Sequence, residues 1–202
     1  MKIGIDFDDV LFDCNTSLAR FHNTNYGTRY ERKDVRTWHL EQIWNCTPME
    51  ATERLEKYYA SPEHAETAPM PGAVEAIARL AQTHELHIVT ARPHHFEMET
   101  RAWLNRHFPE TFSGLHFTDY FKVGVDNKTK ADVCEILGIT IFVEDIPLHA
   151  LNIAAIGIPV LLFDSPWNQE EPARENITRV IDWKKTIDFI ETFSPAEMVG
   201  KT

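Results

Sequence analysis

Short apolar runs rich in Val and Ile alternate along the chain with stretches in which apolar residues recur every three or four positions. The apolar runs cover residues 2–6, 86–90, 139–144 and 160–164, and the helical patterns cover residues 73–82, 96–107, 130–137 and 148–155. Such alternation is typical of βαβ units, in which helices cover both faces of a parallel sheet. The pattern predicts an α/β fold with a three-layer, Rossmann-like parallel core. It also predicts a last strand and helix within residues 177–193.

Residues 14–71 interrupt this alternation. They contain many polar and several aromatic residues, and helical spacing is clearest over residues 48–59. The sequence Pro-Met-Pro-Gly at 69–72 is suited to a stiff turn, because proline fixes φ and glycine frees the backbone. We predict a small inserted α-helical cap over residues 14–71 and a core formed by residues 1–13 and 72–202.

The composition narrows the classes of function. Of 202 residues, 43% are hydrophobic, which is enough for one sizeable core, and the formal net charge is -11. This charge disfavours long nucleic acid as a partner, because that binding depends on Lys and Arg at the phosphates. The three cysteines show no CxxC spacing, and no stretch approaches the roughly 18 apolar residues of a membrane span. We expect a cytoplasmic protein without a membrane partner, and a homodimer is left open.

Acidic residues stand at the ends of two predicted strands. Asp6, Asp8 and Asp9 end the first, and Glu144 and Asp145 end the third. Because the carboxyl ends of parallel strands form one edge of a sheet, these clusters are expected near each other. Clustered carboxylates are tolerated when a cation lies among them, and oxygen ligands suit Mg²⁺. Two clusters favour a shared cation, although each alone is also explained as a solvated turn or a helix cap.

Two further segments offer groups that bind phosphate. Thr90, Ala91 and Arg92 lie where the second strand ends, and they provide a hydroxyl and backbone N–H groups. Lys128 and Lys130 lie at the start of a predicted helix, whose N-terminus attracts anions. Plainer interpretations exist for both segments: Thr90 as an N-cap, Arg92 as a surface charge and the lysines as a solvated pair.

These four segments occur in the order of the four motifs of the haloacid dehalogenase superfamily. The resemblance lies in Asp-Phe-Asp-Asp-Val at 6–10, Val-Thr-Ala-Arg at 89–92, a later lysine and Val-Glu-Asp at 143–145. More narrowly, Pro71-Gly72, the segment 162–168 and the position of the insert resemble nucleotidases related to the 5'(3')-deoxyribonucleotidases. The resemblance implies a phosphatase with a haloacid dehalogenase-like core.

The resemblance also implies roles for the matching residues. Asp6 would attack phosphorus, while Asp8 would protonate the leaving oxygen and later deprotonate the attacking water. Asp6, Asp145 and the backbone carbonyl of Asp8 would bind Mg²⁺ as the cofactor. The residues expected to hold the phosphoryl group are Thr90, Ala91, Arg92 and Lys130.

Three positions need separate treatment. Glu144 stands where many relatives have Asp, and we expect it to act outside the set of metal ligands. Lys130 is favoured over Lys128, because its distance from the end of the following helix resembles the family spacing. Asp9 is interpreted as a turn or cap residue.

The expected substrate is a small phosphorylated metabolite, with a nucleoside monophosphate favoured. A cap would close over the crevice and contact the leaving group. Its aromatic side chains are suited to stacking on a base, although core packing is their commoner fate. These side chains are Trp38, His39, Trp44, Tyr58 and Tyr59. A phosphatase for another metabolite, such as a sugar phosphate, and a noncatalytic binding module of the same fold are the alternatives.

Overall fold

The core of the protein is a parallel sheet. A computed structural model describes residues 1–118 and 128–193, and within them six strands pair in the order β3-β2-β1-β4-β5-β6. The strands are β1 (Lys2–Ile5), β2 (Glu85–Thr90), β3 (Gly114–Phe117), β4 (Ile141–Glu144), β5 (Val160–Phe163) and β6 (Ile177–Val180). Every neighbouring pair is parallel, so the predicted parallel sheet is confirmed.

Nine α-helices lie within the described residues. They are α1 (Cys14–Tyr26), α2 (Leu40–Ile43), α3 (Pro48–Tyr59), α4 (Pro62–Ala65), α5 (Ala73–Leu80), α6 (Glu97–His107), α7 (Lys130–Leu137), α8 (Pro147–Ala155) and α9 (Trp183–Thr192). Helix α7 ends at Gly138 with φ of 67°, a left-handed geometry that glycine adopts without steric cost. Among the described helices, none is both long and apolar enough to cross a membrane.

The sheet is covered by helices on both faces. Alternate strand residues point to opposite faces, and Ile3 and Ile5 of β1 pack in one cluster with residues of α5, α6 and α9. Phe142 of β4 belongs to a second cluster, which includes residues of α7 and α8. The three-layer α/β class predicted from the sequence is therefore confirmed.

The insert predicted over residues 14–71 contains α1 to α4, and part of its hydrophobic residues form a cluster of their own. The buried members of that cluster are Leu18, Phe21, Trp44, Ala51 and Tyr58. The chain enters and leaves this region side by side, because the Asp13 amide donates to the Ala68 carbonyl at 3.1 Å and the Met70 amide donates to the Leu11 carbonyl at 2.7 Å. Both connections lie next to the acidic loop that follows β1.

The strand order places the ends of β1 and β4 at the centre of the sheet. The chain proceeds from β1 to β2 and β3 on one side and then returns to β4 on the other. A ligand crevice is expected beyond the carboxyl ends of two strands where the order reverses in this way. Asp6 follows β1, and its amide donates to the Val143 carbonyl of β4 at 2.9 Å. The two predicted acidic clusters therefore meet.

Candidate active site

Three buried carboxylates converge at this edge of the sheet. One oxygen from each of Asp6, Glu144 and Asp145 can be chosen so that all lie within 4.8 Å of one another. All three residues are at least nine-tenths buried. Carboxylates this close repel one another in a poorly solvated site, so a compensating positive charge is required.

Lys130 provides one such charge. Its Nζ lies 2.7 Å from Asp6 Oδ1 and 2.7 Å from Glu144 Oε2, and its side chain is buried. Burial alone would lower the pKa of Lys130, but Asp6 and Glu144 raise it above the usual range. Lys130 is the first residue of α7, and Thr129 caps this helix, since its Oγ1 accepts the Asp132 amide at 3.1 Å. Lys128, the other sequence candidate, is exposed.

Glu144 and Asp145 differ in how their oxygens are used. Glu144 Oε1 accepts the amides of Asp145 and Ile146 at 3.0 and 3.1 Å, and Oε2 accepts Lys130. Asp145 Oδ2 accepts the indole N–H of Trp167 at 2.9 Å, whereas its buried Oδ1 has no hydrogen-bond partner among the described residues. Asp145 therefore has a free oxygen that can bind a cation.

The protonation equilibria reflect this crowding. Burial, reinforced by the charge of Glu144, raises the pKa of Asp6 to about 7, although Lys130 opposes the shift. Burial and the charges of Glu144 and Asp6 raise the pKa of Asp145 well above its ordinary value. A divalent cation would offset this repulsion, and hard oxygen donors of this kind suit Mg²⁺. The residues present therefore fit a divalent metal.

Asp8 and Arg92 form a bidentate ion pair. Arg92 donates from Nε to Asp8 Oδ2 at 2.8 Å and from Nη2 to Asp8 Oδ1 at 2.7 Å. Burial would raise the pKa of Asp8, but the Arg92 guanidinium overcomes this effect and holds the pKa below the ordinary value. In the free protein Asp8 is therefore charged at neutral pH.

The predicted phosphate turn lies against the same crevice. Thr90 is the last residue of β2 and is fully buried, and its Oγ1 accepts the Arg92 amide at 3.2 Å. Thr90 and Ala91 line one cavity together with Asp6, Asp8 and Lys130. Residues predicted from four separate segments are thus brought together around one space.

Asp9 connects the core to the inserted helices. Asp9 Oδ2 accepts Asn15 Nδ2 at 2.6 Å, and Oδ1 accepts Arg32 Nη1. The Arg32 guanidinium also lies 4.8 Å from the centre of the Trp167 ring. Asp9 is also in a turn, in agreement with its interpretation from the sequence, since its φ is 57°. Arg32 was not predicted as a site residue, because an isolated arginine in a polar segment carries no periodic or motif signal.

Two cavities adjoin the acidic crevice. The first, of about 180 Å³, contains the acidic and phosphate-turn residues. The second, of about 410 Å³, lies between the insert and the core and is lined mainly by apolar side chains, including Leu55, Ile146 and Leu148. Trp38, Leu40, Leu55, Ala91, Ile146 and His149 line both. The arrangement suits a cation and an anionic group bound to it in the first cavity, and an apolar group in the second.

The insert's aromatic residues divide into two groups. Trp44 and Tyr58 are buried within the hydrophobic cluster of the insert. Trp38 is 41% exposed and lines both cavities, while Tyr59 lines the first and His39 lines the second. Core packing, the commoner fate expected from the sequence, therefore holds for some of these residues and not for others.

Comparisons with known proteins bear on this site. The model of a family described as "5' nucleotidase, deoxy (Pyrimidine), cytosolic type C protein" matches residues 1–195. The nucleotidase CA_C3379 of Clostridium acetobutylicum is 25% identical to this chain over 191 residues, which cover 95% of this chain and 94% of that protein.

Solved structures share the fold at low sequence identity. The haloacid dehalogenase-like hydrolase SP0104 from Streptococcus pneumoniae gives a TM-score of 0.66 at 14% identity, covering 94% of this chain and 97% of that one. The HAD-hydrolase YfnB from Bacillus subtilis, solved bound to magnesium, gives 0.61 at 13% identity and covers 95% of this chain and 98% of that one. Both likenesses concern the fold alone.

Proposed function

Because the chain belongs to the 5' nucleotidase, deoxy (pyrimidine), cytosolic type C protein family, we propose that it hydrolyses a nucleoside monophosphate with Mg²⁺ through a phosphoaspartate on Asp6. The family and the structural neighbours make the chain a phosphatase of the haloacid dehalogenase superfamily, as its four motifs predicted. The proposal adds the metal, the intermediate, the residue roles and the substrate. The proposal rests on one observation: Asp6, Lys130 and Asp145 converge at the same edge of the sheet.

The metal assignment is supported by the donor set. Asp6, Asp145 and the backbone carbonyl of Asp8 would hold the ion, and the free Oδ1 of Asp145 is the clearest vacant donor. When bound, Mg²⁺ would neutralise the carboxylates and the phosphoryl oxygens. YfnB, a structural neighbour, is bound to magnesium in its solved form. Glu144 is left out of the ligand set because both of its oxygens are engaged.

The residues can then perform two phosphoryl transfers. In the first, an Asp6 oxygen bonds to phosphorus as the bond to the leaving oxygen breaks, while Thr90, the Ala91 backbone and Lys130 hold the other phosphoryl oxygens. Asp8 gives a proton to the leaving oxygen, and the adjacent anionic phosphate favours the protonated form that this step requires. In the second, Asp8 takes a proton from water, which attacks phosphorus, releases inorganic phosphate and restores Asp6.

The second cavity supports a nucleoside as leaving group. A base presents two apolar faces, which suit the aliphatic lining and the exposed face of Trp38. A sugar without a base has hydroxyl groups that need polar partners when they are buried. The mainly apolar lining therefore favours a nucleoside monophosphate over a sugar phosphate.

Asp6→Asn tests the nucleophile. We expect hydrolysis of nucleoside monophosphates to require Mg²⁺ and to fall by about a thousandfold or more in the variant, because an amide is a poor nucleophile. Asp188→Asn, at an exposed position of α9, is the matched control and should retain activity. Acid-quenched wild-type enzyme should carry a phosphate group on Asp6 that hydroxylamine removes.

Two outcomes would contradict the proposal. Metal-dependent hydrolysis by Asp6→Asn at the wild-type rate would exclude the nucleophile assignment. Binding of phosphorylated metabolites by the wild-type protein without hydrolysis of any would favour the noncatalytic module. A substrate panel that includes sugar phosphates decides between the two enzymatic alternatives.

A further inference from the structure

The Arg92 side chain is held by contacts on its edges and on its faces. Besides its two hydrogen bonds to Asp8, Arg92 donates from Nη1 to Thr100 Oγ1 at 3.2 Å. The guanidinium carbon lies 4.3 Å from the centre of the Phe7 ring and 4.5 Å from that of Phe12. Cation–π contacts of this kind strengthen when the cation is removed from water, and only 1% of this side chain is exposed.

Thr100 fixes the outer edge of the guanidinium. It is a fully buried residue of α6, and its hydroxyl donates to the Phe96 carbonyl at 2.8 Å. With its proton used in this way, Thr100 Oγ1 presents a lone pair to Arg92. The guanidinium is therefore anchored to a helix of the core.

Asp8 has the opposite character. Its side chain is 29% exposed and lines the first cavity, where the reacting group would bind. A bidentate pair fixes the plane of a carboxylate as well as its position. Arg92 lines the same cavity, but a phosphate group would have to compete with Asp8 for its Nε and Nη2 donors.

We propose that Arg92 is a positioning residue, which sets the orientation of the Asp8 carboxylate for proton transfer and does not bind the phosphoryl group itself. The inference rests on the proposed function, in which Asp8 is the acid and base. Proton transfer requires close alignment, and a displacement of about 1 Å can cost about a hundredfold in rate. Arg92, whose guanidinium is held between Asp8 and Thr100, would supply that alignment.

Leaving-group dependence distinguishes this role from phosphate binding. We expect Arg92→Gln to lower kcat/KM for a nucleoside monophosphate by about 10- to 100-fold, because an alkoxide needs a proton to depart. For p-nitrophenyl phosphate the loss in kcat/KM should stay below about 3-fold, since p-nitrophenolate departs without needing a proton. Asp8→Asn should show the same pattern with larger losses, and Arg92→Lys should lie between Arg92→Gln and the wild type.

A double variant gives the second readout. If Arg92 acts through Asp8, Asp8→Asn with Arg92→Gln should be no more than about 2-fold worse than Asp8→Asn alone on the nucleoside monophosphate. Losses that multiply, equal losses on both substrates, or a raised KM with unchanged kcat would each overturn the positioning role. Arg79→Gln, at an exposed pair with Glu191, is the matched control for replacing an arginine.

A separate variant covers the case in which both Arg92 variants fail to fold. Thr100→Val removes the Nη1 acceptor at nearly constant volume and leaves Arg92 and Asp8 in place. We expect the same preference for the better leaving group with a smaller loss, and equal losses on both substrates would overturn the role. All these comparisons are made against an active wild-type enzyme, so they test the role of Arg92 separately from the proposed function. The proposed function itself would be contradicted by an inactive wild type or by an active Asp6→Asn variant.

Discussion

Glu144 is a buried carboxylate with every oxygen engaged, and Glu144→Gln tests what this arrangement contributes. In the variant, the NH₂ group of Gln must face either Lys130 or the backbone amides of the next two residues. In either case one hydrogen bond is replaced by two donors that face each other. We expect urea denaturation to show a loss of about 1 to 3 kcal/mol in the free energy of unfolding. We also expect kcat/KM to fall about 10- to 100-fold, because Lys130 loses one of its two anchors.

Glu135→Gln is the control for this change. Glu135 is exposed on α7, and its replacement should alter the free energy of unfolding by no more than about 0.5 kcal/mol. If Glu144→Gln were as stable and as active as Glu135→Gln, Glu144 would have no organising role.

Individual residues were predictable where a strand end defined their position. Asp6, Thr90 and Asp145 each follow or end an apolar run, and the strand order brings those ends together. The ion pairs of Arg92 with Asp8 and of Arg32 with Asp9 were not predictable in this way. The partners are 84 and 23 positions apart, and their meeting depends on side-chain direction and on the path of a loop.

At the scale of elements, the insert contains two tryptophans, one before and one after helix α2, with different surroundings. Trp38 is 41% exposed beside both cavities, whereas Trp44 is 7% exposed in the insert's hydrophobic cluster. We expect Trp38→Ala to raise KM for a nucleoside monophosphate by about 5- to 150-fold, which corresponds to the loss of one base-stacking contact. The free energy of unfolding should change by no more than about 0.5 kcal/mol.

Trp44→Ala is the matched comparison. It should lower the free energy of unfolding by about 3 to 5 kcal/mol, because a large buried side chain leaves a cavity. Glycerol phosphate, which has no base, should be hydrolysed equally well by wild type and Trp38→Ala. An unchanged KM for the nucleoside monophosphate in Trp38→Ala would exclude stacking at this position.

The sequence predicted some elements and missed others for physical reasons. The core helices α5 to α8 agree with their predicted bounds to within two residues, because amphipathic spacing over two or more turns is a strong signal. Strand β3 was not predicted, since it is a four-residue edge strand of intermediate burial without an apolar run. The difference between Trp38 and Trp44 was also beyond prediction, because it depends on how short helices pack.

At the scale of the whole molecule, the buried and crowded acids of the site are expected to make stability depend on pH and metal. The pKa of Asp6 is raised to about 7 and that of Asp9 to about 6, while that of Asp145 is raised well above its ordinary value. Burial is the first cause in each case. An acid with a raised folded-state pKa binds more protons in the folded state, so its stabilisation is complete below about pH 4 and is lost as pH rises through about 7.

We therefore expect the melting temperature of metal-free protein to contain a component that declines from pH 5 to pH 8. Asp8 has a lowered pKa and titrates below this window. Mg²⁺ should reverse the decline, because it binds the deprotonated acids of the folded state. At a hundredfold excess over Kd, the gain is about 2.7 kcal/mol, or about 5 to 11 °C for a chain of this size.

Differential scanning calorimetry at several pH values, with and without Mg²⁺, measures both effects. Asp145→Asn removes one buried charge and the free ligand oxygen. It should therefore weaken the pH-dependent decline in melting temperature and remove most of the response to Mg²⁺. Asp188→Asn, which is exposed on α9, should preserve both. An equal Mg²⁺ response in wild type and Asp145→Asn would place the ion elsewhere. A response as large at pH 5 as at pH 8 would show that binding does not require these acids to lose their protons.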